Sequence, residues 1–193
     1  MDGPDTTGPS TTGPTGTGPK TAGPMTTVLV LNGPNLQMLG ARQPEIYGSA
    51  TLADIAAACR DLGAQLGLAV DLRQTDDEGE LIGWVHEAFE RQLPVVINPA
   101  AFTHYSYALR DALAMLTSPV IEVHLSNPAT RESFRHTSVV SGVATGTIAG
   151  FGPQSYELAL RAVARQLNGG APGAPGARSA PSASQAARAA ERS

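Results

Sequence analysis

Glu122 and His124 stand two positions apart in a β-branched run, Val120-Ile121-Glu122-Val123-His124. On a strand, that spacing turns both side chains to one face. A carboxylate beside an imidazole fixes the tautomer of the ring and favours its protonated form, which suits a general acid. A buried structural pair is the competing reading. Further polar groups fall just past short apolar runs: Asn32-Gly33-Pro34-Asn35, Arg73-Gln74-Thr75-Asp76, Asn98-Pro99-Ala100-Ala101 leading to Thr103-His104, and Leu125-Ser126-Asn127 after His124. Each alone reads as turn chemistry or as a hydrogen-bonded side chain. Four together read as a site. Arg131 and Arg135, four apart, present cations either to that site or to solvent. Arg42-Gln43-Pro44-Glu45-Ile46-Tyr47, bracketed by Gly40 and Gly48, reads as a mobile lid with hinges that follows the first of these strand ends.

Other chemistries are excluded. Lys20 is the only lysine and sits in a low-complexity tail, so a Schiff base held in a shaped pocket is ruled out. The remaining twelve cationic side chains are arginines, which suit carboxylates, although a GC-rich genome explains the same bias. A single cysteine, Cys59, excludes an internal disulfide and a cysteine-based metal site. His104, His124 and His136 lack the spacing of paired metal ligands, and no metal is expected. A net charge of −4 argues against a nucleic-acid footprint. Apolar runs of a few residues fall short of the roughly 20 that a membrane helix needs, and the N-terminus lacks a basic patch followed by an apolar stretch. The expectation is a soluble cytoplasmic protein.

The elements that must position these groups lie between two tails. Residues 1–24 repeat Gly-Pro every five residues with threonine padding, and residues 169–193 are rich in alanine, glycine, proline and serine. Neither has the apolar side chains to offset its ordering entropy, so both are expected to be disordered. The tails hold four cationic and three anionic side chains, which leaves −5 on the middle of the chain. There, strands are predicted over Thr27–Leu31, Leu68–Arg73, Pro94–Asn98, Val120–Leu125 and Val143–Ala149. A helix is predicted to start at Thr51, where Asp54 completes a capping-box pattern, with a stripe through Ile55, Cys59, Leu62 and Leu66. Cys59 reads as packing there. Further helices fit Glu78–Arg91, Tyr105–Leu116 and about Pro153 to Leu167. Five strands alternating with helices predict a parallel sheet covered on both faces, with ligands beyond the carboxyl ends of its strands.

Taken in order, these motifs resemble those of the type II 3-dehydroquinate dehydratases over residues 27–168. The resemblance implies a flavodoxin-like α/β three-layer sandwich with a five-stranded parallel sheet in the order 2-1-3-4-5. It implies a catalytic domain over residues 25–168, a dodecamer built from four trimers, and action in the shikimate pathway without metal or organic cofactor. By position, Tyr47 matches the base that takes a proton from C2 of 3-dehydroquinate, and Arg42 the residue that activates it. Asn35 matches the holder of a water against the enolate oxygen. His124, oriented by Glu122, matches the acid that protonates the departing C1 hydroxyl. Asn98, His104 and Arg135 match ligands of the substrate hydroxyls, and the backbone of Leu125 and Ser126 matches the carboxylate site. Asp111 matches an aspartate reaching toward a neighbouring subunit, and Arg131 a second arginine of the same loop. The sequence departs from the family at Pro128, which restricts Asn127 ahead of Arg131, and at Ser155, where glycine is usual.

Two other classes compete with that reading. A flavodoxin-like module binding a phosphorylated ligand would want a glycine-rich loop with a lysine, which the chain lacks. A non-catalytic scaffold would have lost one of Tyr47, Arg42, Asn35 and His124, and all four are present.

Overall fold

Val28-Leu29-Val30-Leu31 is fully buried along its whole length, which a strand achieves only when both faces are covered. The computed structural model, which describes residues 25–41 and 50–169, shows how. Five parallel strands, β1 (Thr26–Asn32), β2 (Leu68–Gln74), β3 (Val95–Asn98), β4 (Val120–His124) and β5 (Gly146–Ala149), form one sheet in the order β2-β1-β3-β4-β5. Four helices cover it: α1 (Leu52–Leu66), α2 (Glu78–Arg91), α3 (Tyr107–Ala114) and α4 (Gln154–Leu167). Alternation along β1 divides the core in two. Val28 and Val30 pack with Ile55, Cys59, Leu160 and Val163 under α1 and α4. Leu29 and Leu31 pack with Leu81, Val85, Leu109 and Leu113 under α2 and α3. The architecture and strand order are those expected.

The helix starts follow local chemistry. Thr51 caps α1 in a reciprocal box: its Oγ1 accepts from the Asp54 amide at 3.2 Å, and its own amide donates to Asp54 Oδ2 at 2.9 Å. Helix α3 is shorter than its apolar pattern predicts. Ser106 Oγ accepts from the Leu109 amide at 2.9 Å and fixes the start at Tyr107. Beyond Ala114 the amides of Met115 and Leu116 turn back three residues, to Ala112 and Leu113. Strand β5 is also shorter than expected. The Val143 amide donates to Val140 O at 2.9 Å, so Val143 and Ala144 lie in a turn and only Gly146–Ala149 joins the ladder. Strand β4 stops at His124 because the carbonyl of Leu125 accepts instead from the Gly152 amide.

Register places the polar strand ends side by side. Asn32 pairs with Gln74 on one flank and with Asn98 on the other. The Gly33 amide donates to Asn98 O at 2.8 Å, so close that a Cβ at position 33 would stand 2.6 Å from Pro99 O. Glycine is required by that approach. Asn35 follows in the left-handed region at φ 67°. The tail expectations lie outside the described residues, apart from Gly169 just past α4.

Candidate active site

A cavity of about 140 Å³ opens at the carboxyl edge of the sheet. Asn35, Asn98, His104, His124, Leu125, Ser126, Arg131 and Arg135 line it, with Pro34, Leu36, Leu39 and Pro128 among the remaining walls. Eight residues predicted from sequence therefore meet in one space. Glu122 sits behind His124. Asp111 does not line the cavity; its exposed side chain pairs with Arg110 at 2.6 Å. Arg42 and Tyr47, and with them the lid reading, lie outside the described residues.

The Glu122–His124 pair forms as the strand spacing predicts. His124 Nε2 donates to Glu122 Oε1 at 2.9 Å, which leaves Nδ1 for the cavity. Glu122 is completely buried, a placement that costs several kcal/mol for an isolated carboxylate. Hydroxyls offset that cost. Thr103 Oγ1 donates to Oε1 at 2.5 Å, Ser141 Oγ to Oε2 at 2.5 Å, and Ser138 Oγ to Oε1 at 3.2 Å. Burial pushes the carboxyl up, but the hydrogen bond and charge of His124, with the Ser141 and Thr103 hydroxyls, outweigh it and hold Glu122 below its ordinary value. It stays an anion. From the other side, Ser155 Oγ donates to His124 O at 3.0 Å, so the serine at the departure from the family holds the backbone beneath the imidazole.

The remaining walls are held as firmly. His104 Nδ1 donates to Thr137 O at 2.8 Å and its ring meets Phe134 edge to face. Arg135 Nε donates to Glu132 Oε2 at 2.8 Å while its guanidinium lies over the Phe134 ring at 4.7 Å. Pro128 opens a short 3₁₀ turn capped by Asn127, and Arg131 beyond it still reaches the cavity wall. The strained turn at Asn35 is tied down by Asp76, whose carboxylate accepts from the Asn35 amide at 2.8 Å, Gln37 Nε2 at 2.6 Å and Gln74 Nε2 at 3.1 Å. Those bonds, the Asn35 amide foremost, hold Asp76 below its ordinary value.

An ionised carboxylate on a cavity-facing imidazole, beside asparagines and two arginines, is built to move a proton on an oxygen-rich, anionic ligand. Comparison with known proteins then decides the family: the sequence model of the Dehydroquinase class II family matches residues 26–164. The chain belongs to that family. It is 57% identical over 144 residues to the 3-dehydroquinate dehydratase of Kineococcus radiotolerans, covering 75% of this chain and 99% of that one. It is 55% identical to 3-dehydroquinate dehydratase 2 of Pseudomonas aeruginosa over 75% of this chain and 98% of that one. The crystal structure of the type II dehydroquinase from Propionibacterium acnes superposes with a TM-score of 0.71 at 56% identity, covering 72% of this chain and 97% of that one.

Several groups in this type II dehydroquinase fold escaped the sequence reading. Ser138 and Ser141, three apart in one turn, reach Glu122 from 16 and 19 residues beyond it, and Thr103, visible only as part of a polar strand end, from 19 residues before it. Asp76 is visible as a polar strand end, but its hold on Asn35 is a contact across 41 residues. Tyr156 falls in an apolar helix stripe, where periodicity cannot show its hydroxyl.

Proposed function

We propose that this chain removes water from 3-dehydroquinate by anti elimination through an enolate, giving 3-dehydroshikimate. The observation that carries the reading is His124, held on ionised Glu122 at the wall of the cavity that also gathers Asn35, Asn98, His104, Arg131 and Arg135, in a chain of the type II dehydroquinase family.

Tyr47, activated by Arg42, takes the C2 proton, and the bonding pair moves into the ketone to form the enolate. Asn35 holds a water against that oxygen, an interaction strongest when charge has developed there. Collapse of the enolate expels the C1 hydroxyl, which leaves as water with a proton from His124. Asn98, His104 and Arg135 hold the hydroxyls of the substrate. The backbone of Leu125 and Ser126 takes its carboxylate, and Arg131 adds a cation to the same wall. The chemistry needs no covalent intermediate, in keeping with a domain that has no lysine.

The cytoplasm is the proposed location, and a dodecamer of four trimers the proposed assembly, with Asp111 reaching a neighbour's site. In support, the Asp111 side chain is 72% exposed and does not line its own chain's cavity. Purified protein mixed with 3-dehydroquinate should produce the ultraviolet absorbance of a conjugated enone, and borohydride added with substrate should not inactivate it. Binding of 3-dehydroquinate without enone formation would instead make the site a non-catalytic ligand module.

A further inference from the structure

Asn98 lines the cavity yet is only 2% exposed, and its amide is held by a chain of hydrogen bonds leading away from the site. Its Nδ2 donates to Tyr156 Oη at 3.0 Å, and Tyr156 Oη donates to Asn32 Oδ1 at 2.6 Å. Asn32 Nδ2 in turn donates to the carbonyl of Arg73 at 3.0 Å. At the other end, Asn98 Oδ1 accepts from the Ala100 amide at 3.2 Å. Tyr156 and Asn32 are completely buried.

The direction of this chain is fixed at its far end. A backbone carbonyl can only accept, so Asn32 must present its nitrogen to Arg73 and its oxygen to Tyr156. The single phenolic proton is thereby committed to Asn32. Burial pushes the phenol up, so that proton is retained. The tyrosine oxygen can then only accept from Asn98, which must turn its nitrogen inward and its oxygen to Ala100. One N–H of that amide remains, available to an acceptor oxygen in the cavity.

We infer that Tyr156 on α4 is a positioning residue for substrate binding, fixing the amide of Asn98 as a donor toward a substrate hydroxyl oxygen. Tyr156 touches no substrate; it acts through Asn98. The inference rests on the dehydratase reading and on Asn98 as a substrate ligand. Without the hydroxyl, the Asn98 amide loses the partner that sets its orientation, and the donor is no longer presented in one geometry.

A double-mutant cycle in the full chain tests it, with initial rates on 3-dehydroquinate. Tyr156→Phe should raise KM on the order of tenfold and change kcat less than about threefold. In an Asn98→Ala background the same substitution should change KM by less than about twofold, because the group it positions is gone. Tyr156→Phe leaves Asn32 Oδ1 buried and unpaired, so its melting temperature will fall. Tyr156→Phe with Asn32→Leu removes the stranded Asn32 oxygen, at the loss of its bond to the Arg73 carbonyl, and should regain part of the stability while keeping the raised KM. A KM that returns with stability would make Tyr156 a merely structural residue and overturn the inference. So would equal effects of Tyr156→Phe in the two backgrounds. A wild-type protein that forms no enone would overturn the dehydratase reading itself, and the inference with it.

Discussion

Tyr47 and His124 stand at the two ends of the proposed proton traffic, and substitutions there should be read in kcat rather than in affinity. A tyrosine with a reference pKa of about 10 costs roughly 4 kcal/mol to ionise at pH 7, and an arginine cation brought close in a site closed to water can supply much of that. Tyr47→Phe should therefore nearly abolish kcat while 3-dehydroquinate still binds, as titration calorimetry can show; a variant within about tenfold of wild type would remove the base assignment. His124→Ala should lower kcat by roughly 10²–10⁴-fold with a smaller change in KM. Glu122→Gln should lose less, because it keeps the shape and removes only the charge. The His124–Glu122 contact was legible from two-residue spacing on a strand. The hydroxyls that keep Glu122 ionised were not, since Thr103 and the Ser138–Ser141 turn lie on opposite sides of it in sequence and meet it only after folding.

Elements bring their own constraints. The β1–β3 junction depends on Gly33, where an added Cβ would press against Pro99 O at 2.6 Å and Pro99 C at 2.9 Å. Gly33→Ala must separate the strand ends that carry Asn35 and Asn98. It should cost about 2 kcal/mol, a fall of roughly 4–8 °C in Tm, and weaken substrate binding as well. On β2, Arg73 bridges to α2 through Glu87, at 2.5 and 3.1 Å. The Arg73 guanidinium first, and Arg91 after it, hold the Glu87 carboxyl down at about 2 against an ordinary 4.5. A depressed carboxyl stabilises the fold above its unfolded value and loses that contribution as pH falls toward the folded one. Glu87→Gln should thus cost about 1 kcal/mol at pH 7 after solvent screening. The gap to wild type should close between pH 4.5 and 2, as urea midpoints will register. Helix α2 has the bounds that its apolar stripe predicts, and Asp77 caps it by accepting from the Glu80 amide at 2.7 Å. Helix α3 was overestimated because its stripe continues past the caps that bound it.

At the scale of the whole molecule, the span that matches the family, 26–164, nearly coincides with the span between the tails. A chain reduced to residues 25–168 should keep both its activity and its oligomeric state, measured by enone formation and by sedimentation. Dissociation or inactivation on truncation would show that a tail docks. The parallel sheet was legible because each strand–helix alternation forces a crossover, its strand order only through the family resemblance, and the site because polar residues gather at one edge. What sequence could not supply was the depth of support behind that edge. The sheet separates two cores, and the site draws on both. Asn98 is anchored through Tyr156 to the α1–α4 side, whereas Glu122 and His124 share the face of Val120, under α2 and α3. Variation in the interior would therefore leave different signatures in a living cell. Damage such as Val163→Ala would be felt first at Asn98 and Asn35, whose neighbours Leu36 and Leu39 share its core, and damage such as Leu113→Ala first at Glu122, His124 and the segment of Phe102 that carries His104. Selection on the interior would therefore act on two separable supports of a single site.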